Sequence, residues 1–149
     1  CSDNPKDIKS YIDYLDQGFD CVFGSRFIKG SKVVNYPILK LLLNRIANNF
    51  IRLLFLTKYN DVTNAFKAYK KELLINFKPI VSKHFNINAE LALKAISRGY
   101  NYKIIPISWN NRKKNLSKFK IEEMRNKYLF TVLYVWLEKI LLQKNVKKN

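Results

Sequence analysis

The sequence is poor in the residues that build metal centres and disulfide frameworks. It has one histidine, His84, and two cysteines, Cys1 and Cys21, without CxxC spacing. This argues against a zinc motif and a disulfide-stapled fold and favours a reducing compartment. His84 alone reads as structural or solvent-facing. Four glycines and four prolines in 149 residues exclude a linker-rich or low-complexity chain. No uncharged apolar run reaches the roughly 20 residues that a membrane-spanning helix needs. Acidic residues are scarce too: 11 against 28 lysines and arginines, a formal net charge of +17. Such a balance attracts nucleic acid, anionic lipid or a phosphorylated substrate, although lysines at helix ends and on solvent faces account for part of it. What remains is ordinary for one globular domain, with 48% hydrophobic residues to build a core.

Hydrophobic periodicity gives the element order. Pro5 in a first turn, followed by Ile8, Tyr11, Ile12 and Leu15 at helical spacing, predicts a helix ending at Gly18. "FDCVFG" reads as a buried strand ending at Gly24, and "SRFIKGSKVVNYP" as a loop. "ILKLLLNRIANNFIRLLFL" reads as one long helix. Leu39, Leu42, Leu43, Ile46, Ala47, Phe50, Leu53 and Leu54 fall on one side of it, and Lys40, Asn44, Arg45, Asn48, Asn49 and Arg52 on the other. An apolar side this wide suits a core helix or one lying in a membrane interface. Arg45, Asn49 and Arg52, at i, i+4 and i+7, project toward one place. A strand over Ala65–Tyr69, a short helix, a helix from about Asn88 capped by Gly99, and a last strand "NYKIIPISW" with Pro106 at an edge or bend follow. From Lys118 to Leu142 runs a basic stretch and then an apolar helix. Strands alternating with helices predict an α/β domain.

Arg26, Arg45, Arg112 and Lys118 each sit in or beside a loop or polar face at the boundary of an element. Arginine suits bidentate contact with phosphate, and four cations converging on one pocket require an anionic occupant. Taken singly, each also reads as an ordinary surface cation. "GSRF", "LLLNRIANNFIRLLF", "DVTNAFKAYKKELL" and "FNINAELALKAISRGYNYKIIPISWNNRKKNLSKFKIEEM" occur in an order and spacing that resemble the second half of family 2 glycosyltransferases of the dolichol-phosphate mannosyltransferase type. The resemblance covers nearly the whole chain. Its most specific piece is Arg-x-x-x-x-Ser-Lys at Arg112, Ser117 and Lys118.

The resemblance implies an α/β, partial GT-A-like nucleotide-diphospho-sugar transferase domain. Its C-terminal half would span 1–117, with a basic, amphipathic helix and tail over 118–149. "CSDNP" is similar to the stretch just after the family's Asp-x-Asp motif. The expectation is therefore a fragment beginning downstream of the principal ligands of a divalent cation, Mg or Mn, with Ser2 at the position of a further oxygen ligand. By position, Arg26 and Arg45 match arginines that hold the donor diphosphate and the acceptor phosphate, with Ser25 beside them. Asn49 matches a small polar residue near the acceptor phosphate. Asp61, Thr63 and Asn64 match the segment beside the donor sugar, where Ala65 stands in place of a common Gly. Glu90 matches an acidic residue under the site. Arg112, with Ser117 and Lys118, matches the grip on the lipid phosphate.

The implied function is inverting transfer of a hexose, mannose or glucose, from a nucleotide sugar to a polyprenyl phosphate. The enzyme would be peripheral, on the cytoplasmic face of the membrane and against anionic lipids. Ile38–Leu56 resembles the family's interface helix. Tyr128, Tyr134 and Trp136 of the last helix suit a headgroup layer. An acceptor phosphate is ionised at neutral pH, so the site needs cations to hold two anionic groups together more than it needs a strong base. Three alternatives carry different expectations. A non-lipid sugar acceptor predicts no dependence on lipid phosphate. A basic nucleic-acid-binding module predicts steep salt dependence, yet the chain has no RNA-binding aromatic motif, so nucleic acid is not an expected partner. A non-enzymatic membrane-surface adaptor is what the chain would be without a nucleotide-binding half.

Overall fold

The computed structural model of the chain describes residues 3–111 and 121–142. Within them the fold is mixed α/β. A short 3-10 turn, Pro5–Asp7, leads into helix α1, Ile8–Asp16, and strand β1, Cys21–Ser25. Strand β2, Lys32–Val34, and the long helix α2, Ile38–Phe55, follow. Then come β3 (Lys67–Tyr69), α3 (Lys71–Asn76), α4 (Ile87–Ser97), β4 (Tyr102–Pro106), β5 (Ser108–Asn110) and α5 (Ile121–Leu142). The domain boundary expected at 117/118 lies outside the described residues.

β1 is buried along its whole length because it is the middle strand of a three-stranded sheet ordered β3-β1-β4. β3 pairs with it antiparallel and β4 parallel. The period-2 alternation of a strand sends Cys21 and Phe23 into the larger core, which β1 shares with α2, α4 and α5. Val22 goes into a smaller core with Tyr11, Ile105 and Ile107. Phe23 stacks on Tyr59 and Tyr102, with ring centroids 4.9 and 5.2 Å away. Burying a side chain of this size contributes about 1.5–3 kcal/mol.

Three expectations change. The loop expected over 25–37 contains β2, whose parallel partner is β5. A three-residue strand paired 76 positions away leaves no local periodicity to read. "NYKIIPISW" is two strands in two sheets, β4 ending at Pro106 and β5 starting at Ser108; Ile107 between them makes the change, its N–H donating to the Ser25 carbonyl of β1 and its carbonyl accepting from the Lys32 N–H of β2. In α5, Tyr128, Tyr134 and Trp136 pack against the core instead of facing outward, and the Tyr128 hydroxyl donates to the Phe85 carbonyl. The large hydrophobic residues exposed among the described side chains of α5 are Leu129, Phe130, Leu133, Leu137, Ile140 and Leu141.

The roll of α2 decides between the two placements open to its wide apolar side, core or interface. Its wide apolar side points outward: Leu39 is 67% exposed and Leu53 76%, and Leu42, Leu43, Ile46 and Phe50 are exposed beside them. The side facing the body of the protein is a narrower stripe, Leu41, Asn44, Asn48, Ile51 and Phe55, in which Asn48, Ile51 and Phe55 are buried. No helix among the described residues is long and apolar enough to cross a membrane.

Gly24 positions the end of β1. A Cβ there would lie 2.2 Å from the Tyr11 hydroxyl, 2.8 Å from Ile107 Cγ2 and 2.9 Å from the Phe66 carbonyl oxygen. Gly24→Ala is therefore expected to destabilise the fold by at least the ~1–3 kcal/mol typical of overpacking. Adding Tyr11→Phe, which removes the nearest atom, should recover part of the loss. Urea unfolding of the single and double variants measures both; an unaltered midpoint for Gly24→Ala would contradict the packing described.

Candidate functional site

The candidate site lies at the carboxyl end of β1, the position at which open α/β sheets carry their ligands. Arg26 follows the last β1 residue, and its guanidinium forms a bidentate pair with Asp61. Nε donates to Oδ2 at 2.8 Å and Nη2 to Oδ1 at 2.7 Å, while the Arg26 backbone N–H donates to Oδ2 at 3.0 Å. Nη1 donates to the Tyr36 hydroxyl at 3.4 Å. The rings of Phe27, Tyr36 and Trp109 enclose the group, with centroids 5.4 to 5.7 Å from Cζ. Burial pulls the Arg26 pKa down, but the Asp61 hydrogen bonds and charge outweigh it and the net shift is upward. Asp61 is fully buried, so the pair is a desolvated one whose two members depend on each other.

The loop carrying Asp61 is held from three sides. On the β1 side, Ser25 Oγ donates to Asn60 Oδ1 at 2.6 Å, Asn60 Nδ2 donates to the Phe27 carbonyl, and Asn64 Nδ2 donates to the Gly24 carbonyl. From α2, Asn48 Oδ1 accepts from the Val62 N–H at 2.6 Å, and Asn44 Nδ2 and Asn48 Nδ2 both donate to Thr63 Oγ1. Arg45 Nη1 donates to the Asn60 carbonyl at 3.0 Å. From below, the Lys67 ammonium donates to the carbonyls of Val62, Asn64 and Asn88. Burial pushes the Lys67 pKa down to about 7, against the pull of Asp61.

Two guanidiniums share one ring here, because Arg45 lies over Phe27 with Cζ 4.4 Å from the centroid. Burial lowers the Arg45 pKa; Asp61 raises it, and neighbouring Arg52 and Arg26 lower it further. Lys40 is lowered by burial and by Arg26. The described site thus gathers cations around the Asp61 carboxylate, with Asp3 near enough to feel both Arg26 and Asp61 and its pKa pushed upward chiefly by burial, and the excess of cations favours an anionic ligand. The Arg26 fork is already taken up by Asp61. Arg45 is half-buried and, among the described residues, has no carboxylate ion pair within 4.0 Å.

The structure brings Ser25, Arg26, Arg45, Asp61, Thr63 and Asn64 together. It places Asn49 elsewhere, on the exposed side of α2 among the outward leucines. Its neighbour Asn48, one position round the helix, makes the inward contacts. Glu90 belongs to a second buried network beneath the sheet. It accepts from the backbone N–H groups of Val81 and Ser82 at 3.0 and 2.8 Å and pairs with Lys94 at 3.0 Å. Lys94 also approaches Glu138, which pairs with Arg98, so this network fastens α5 to α4. Burial raises the Glu90 pKa, and hydrogen bonds from Ser82, Val81 and Lys94 more than offset that, leaving it below the usual range. Ser2, Arg112, Ser117 and Lys118 lie outside the described residues.

Sequence reasoning did not single out Asn44, Asn48, Asn60 or Lys67 as site residues. Two asparagines one turn apart, at positions 44 and 48, in line with the apolar Leu41, Ile51 and Phe55, were the available signal for the first two. Among the described residues no group of three His, Cys, Asp or Glu side chains is placed to hold a metal ion.

Removing the cation of a buried pair leaves its carboxylate uncompensated, at a cost of about 3–5 kcal/mol. Arg26→Ala is expected to lose that much in chemical denaturation, whereas Asp61→Asn combined with Arg26→Met should lose clearly less. A loss under about 0.5 kcal/mol for Arg26→Ala would mean that the pair is not the buried one described.

No protein-family model matches the chain. Comparison with curated proteins is more informative. The chain is 30% identical over 123 residues to the polyprenol monophosphomannose synthase of Mycolicibacterium smegmatis, a match covering 81% of this chain and 46% of that protein. It is 30% identical over 109 residues to the dolichyl-phosphate hexose transferase of Haloferax volcanii, covering 70% and 44%. It is 26% identical over 101 residues to the undecaprenyl-phosphate mannosyltransferase of Micrococcus luteus, covering 66% and 42%. The chain spans a little under half the length of each of these relatives. Together with the order of "GSRF", "NRIAN" and "DVTNAFKAY" along the chain, these matches place it: the chain belongs to a polyprenyl-phosphate mannosyltransferase-like family.

Proposed function

We propose that this chain is the acceptor-side half of a GT-A-like, inverting glycosyltransferase that moves a hexose, mannose or glucose, from a nucleotide sugar to a polyprenyl phosphate at the cytoplasmic membrane surface. The observation that carries the reading is the two-faced placement of α2. Arg45, Asn44 and Asn48 face the cationic site, and the opposite face of the same helix presents a run of exposed leucines, isoleucine and phenylalanine. A lipid whose only polar group is a phosphate needs both surfaces at once: an apolar one at the bilayer boundary and a cationic one within reach of it. The relatives are named for polyprenol, dolichyl-phosphate and undecaprenyl-phosphate, lipids of that kind.

The chemistry follows from the charges. A phosphate oxygen of the acceptor attacks the sugar anomeric carbon, and the bond from that carbon to the nucleoside diphosphate breaks, the leaving group taking the electron pair. Both reactants are anions, so the barrier contains their mutual repulsion. Arg45 screens the incoming phosphate, and Arg26, neutralised by Asp61 and locked by it and three rings, contributes an oriented dipole and a fixed loop position without reorganising. A divalent cation, Mg or Mn, is part of the proposal only as a group held from outside the described residues. The chain's net charge of +17 adds about 1 kcal/mol of attraction for each Lys or Arg brought close to an anionic leaflet.

In the full-length protein containing this chain, Arg45→Ala is expected to reduce transfer of labelled hexose to polyprenyl phosphate on the order of a hundredfold, the scale of losing one preorganised donor. Leu42→Asp with Leu53→Asp should release the protein from phospholipid vesicles in a flotation assay. Undiminished transfer by Arg45→Ala, or transfer to a water-soluble sugar with no need for lipid phosphate, would overturn the reading.

A further inference from the structure

α2 is one rigid rod of 18 residues with different duties on its two sides. The loop contacts come from one stretch of the inner side: Asn44, Arg45 and Asn48 reach Asn60, Val62 and Thr63, the residues on either side of Asp61. Of these, Asn48 is the most constrained. It is fully buried, its Oδ1 accepts from the Val62 N–H, and its Nδ2 donates to the Asn44 carbonyl, Asn44 Oδ1 and Thr63 Oγ1. A carboxamide can satisfy acceptor and donor roles at once only in one orientation. Any roll of α2 therefore moves the Val62 N–H and Thr63 together, and with them Asp61, which immediately precedes Val62.

We propose that Asn48 is a positioning residue that couples the outward apolar face of α2 to the Asp61 loop, so that a lipid surface covering that face tightens binding of phosphate at the inner face. The inference rests on the membrane reading above and adds its regulation. In water, nothing described packs on the outer side of α2, where Leu39, Leu42, Ile46, Phe50 and Leu53 are exposed, so packing resists roll from the inner side alone. A bilayer boundary fixes the helix's depth and roll from the outside. That removes part of the cost of holding α2, and through Asn48 the Asp61 loop, in one orientation when an anion binds. The linkage is reciprocal: phosphate at the site strengthens attachment to lipid by the same factor. The cationic chain selects a lipid surface over a neutral apolar partner as the occupant.

The test uses the full-length protein, inorganic pyrophosphate as the anionic probe, and vesicles of mixed phosphatidylcholine and phosphatidylglycerol. Wild type should bind pyrophosphate several-fold more tightly on vesicles than in solution. Asn48→Ala should float with vesicles equally well but lose most of that gain, and Asn48→Asp, which keeps the acceptor for the Val62 N–H, should recover part of it. Hydrogen exchange at the Val62 amide in wild type, which needs no variant, should slow several-fold on vesicles. Vesicle binding without a gain in pyrophosphate affinity, or with a gain unchanged in Asn48→Ala, overturns the coupling alone. Failure to bind vesicles at all overturns both the coupling and the membrane reading.

Discussion

The buried pair between Arg26 and Asp61 is the interaction on which the rest of the site depends. It joins two segments 35 positions apart, the end of the central strand and the loop before β3, and neither charge is tolerable there alone. A bidentate geometry fixes direction as well as distance, so the pair sets where the loop sits relative to the sheet. Asn60 and Asn64 then tie the loop to the Gly24, Ser25 and Phe27 backbone and side chains. Asp61 consumes the fork of Arg26, and in the proposed function the arginine that meets a ligand's phosphate is Arg45, on a different element. The division of labour is between a cation that builds the site and a cation that serves it.

The second constraint is the orientation of α2. Most amphipathic helices of a globular domain turn their wider apolar side inward, and this one turns it out. The inner stripe explains the choice: Ile51 and Phe55 are enough to seat the C-terminal half of the helix on the core, and Lys139 of α5 caps that end by donating to the Phe55 carbonyl. The N-terminal half has asparagines where a core helix would have leucines, and their partners are the loop groups that need hydrogen bonds. Polar satisfaction, rather than apolar area, decides the roll.

Much of this was legible from residue patterns. β1, α1, α2 and α4 follow from periodicity, the Gly99 cap and the Pro37 start, and the run "GSRF…NRIAN…DVTNAF" points to six residues that the fold brings together. What was not legible depends on partners distant in sequence. β2 exists only because β5 lies beside it. The choice of Asn48 over Asn49 turns on 100° of helix rotation, which is set by Val62 and Thr63. Glu90 has a site-like position on α4, yet its environment is made by Val81, Ser82 and Lys94, so its chemistry is that of a buried structural ion pair. Two aromatic residues of α5 suited to a headgroup layer by type, Tyr134 and Trp136, instead pack against the core.

The central claim is that one helix meets lipid on one side and the phosphate site on the other. The most direct measurement places a fluorescent label on a cysteine at Leu53 and, separately, at Lys83, and adds vesicles containing brominated phospholipid to each labelled full-length protein. The account predicts strong quenching at Leu53 and little at Lys83. Equal quenching at both positions, or none at Leu53 while the protein is vesicle-bound, would contradict it.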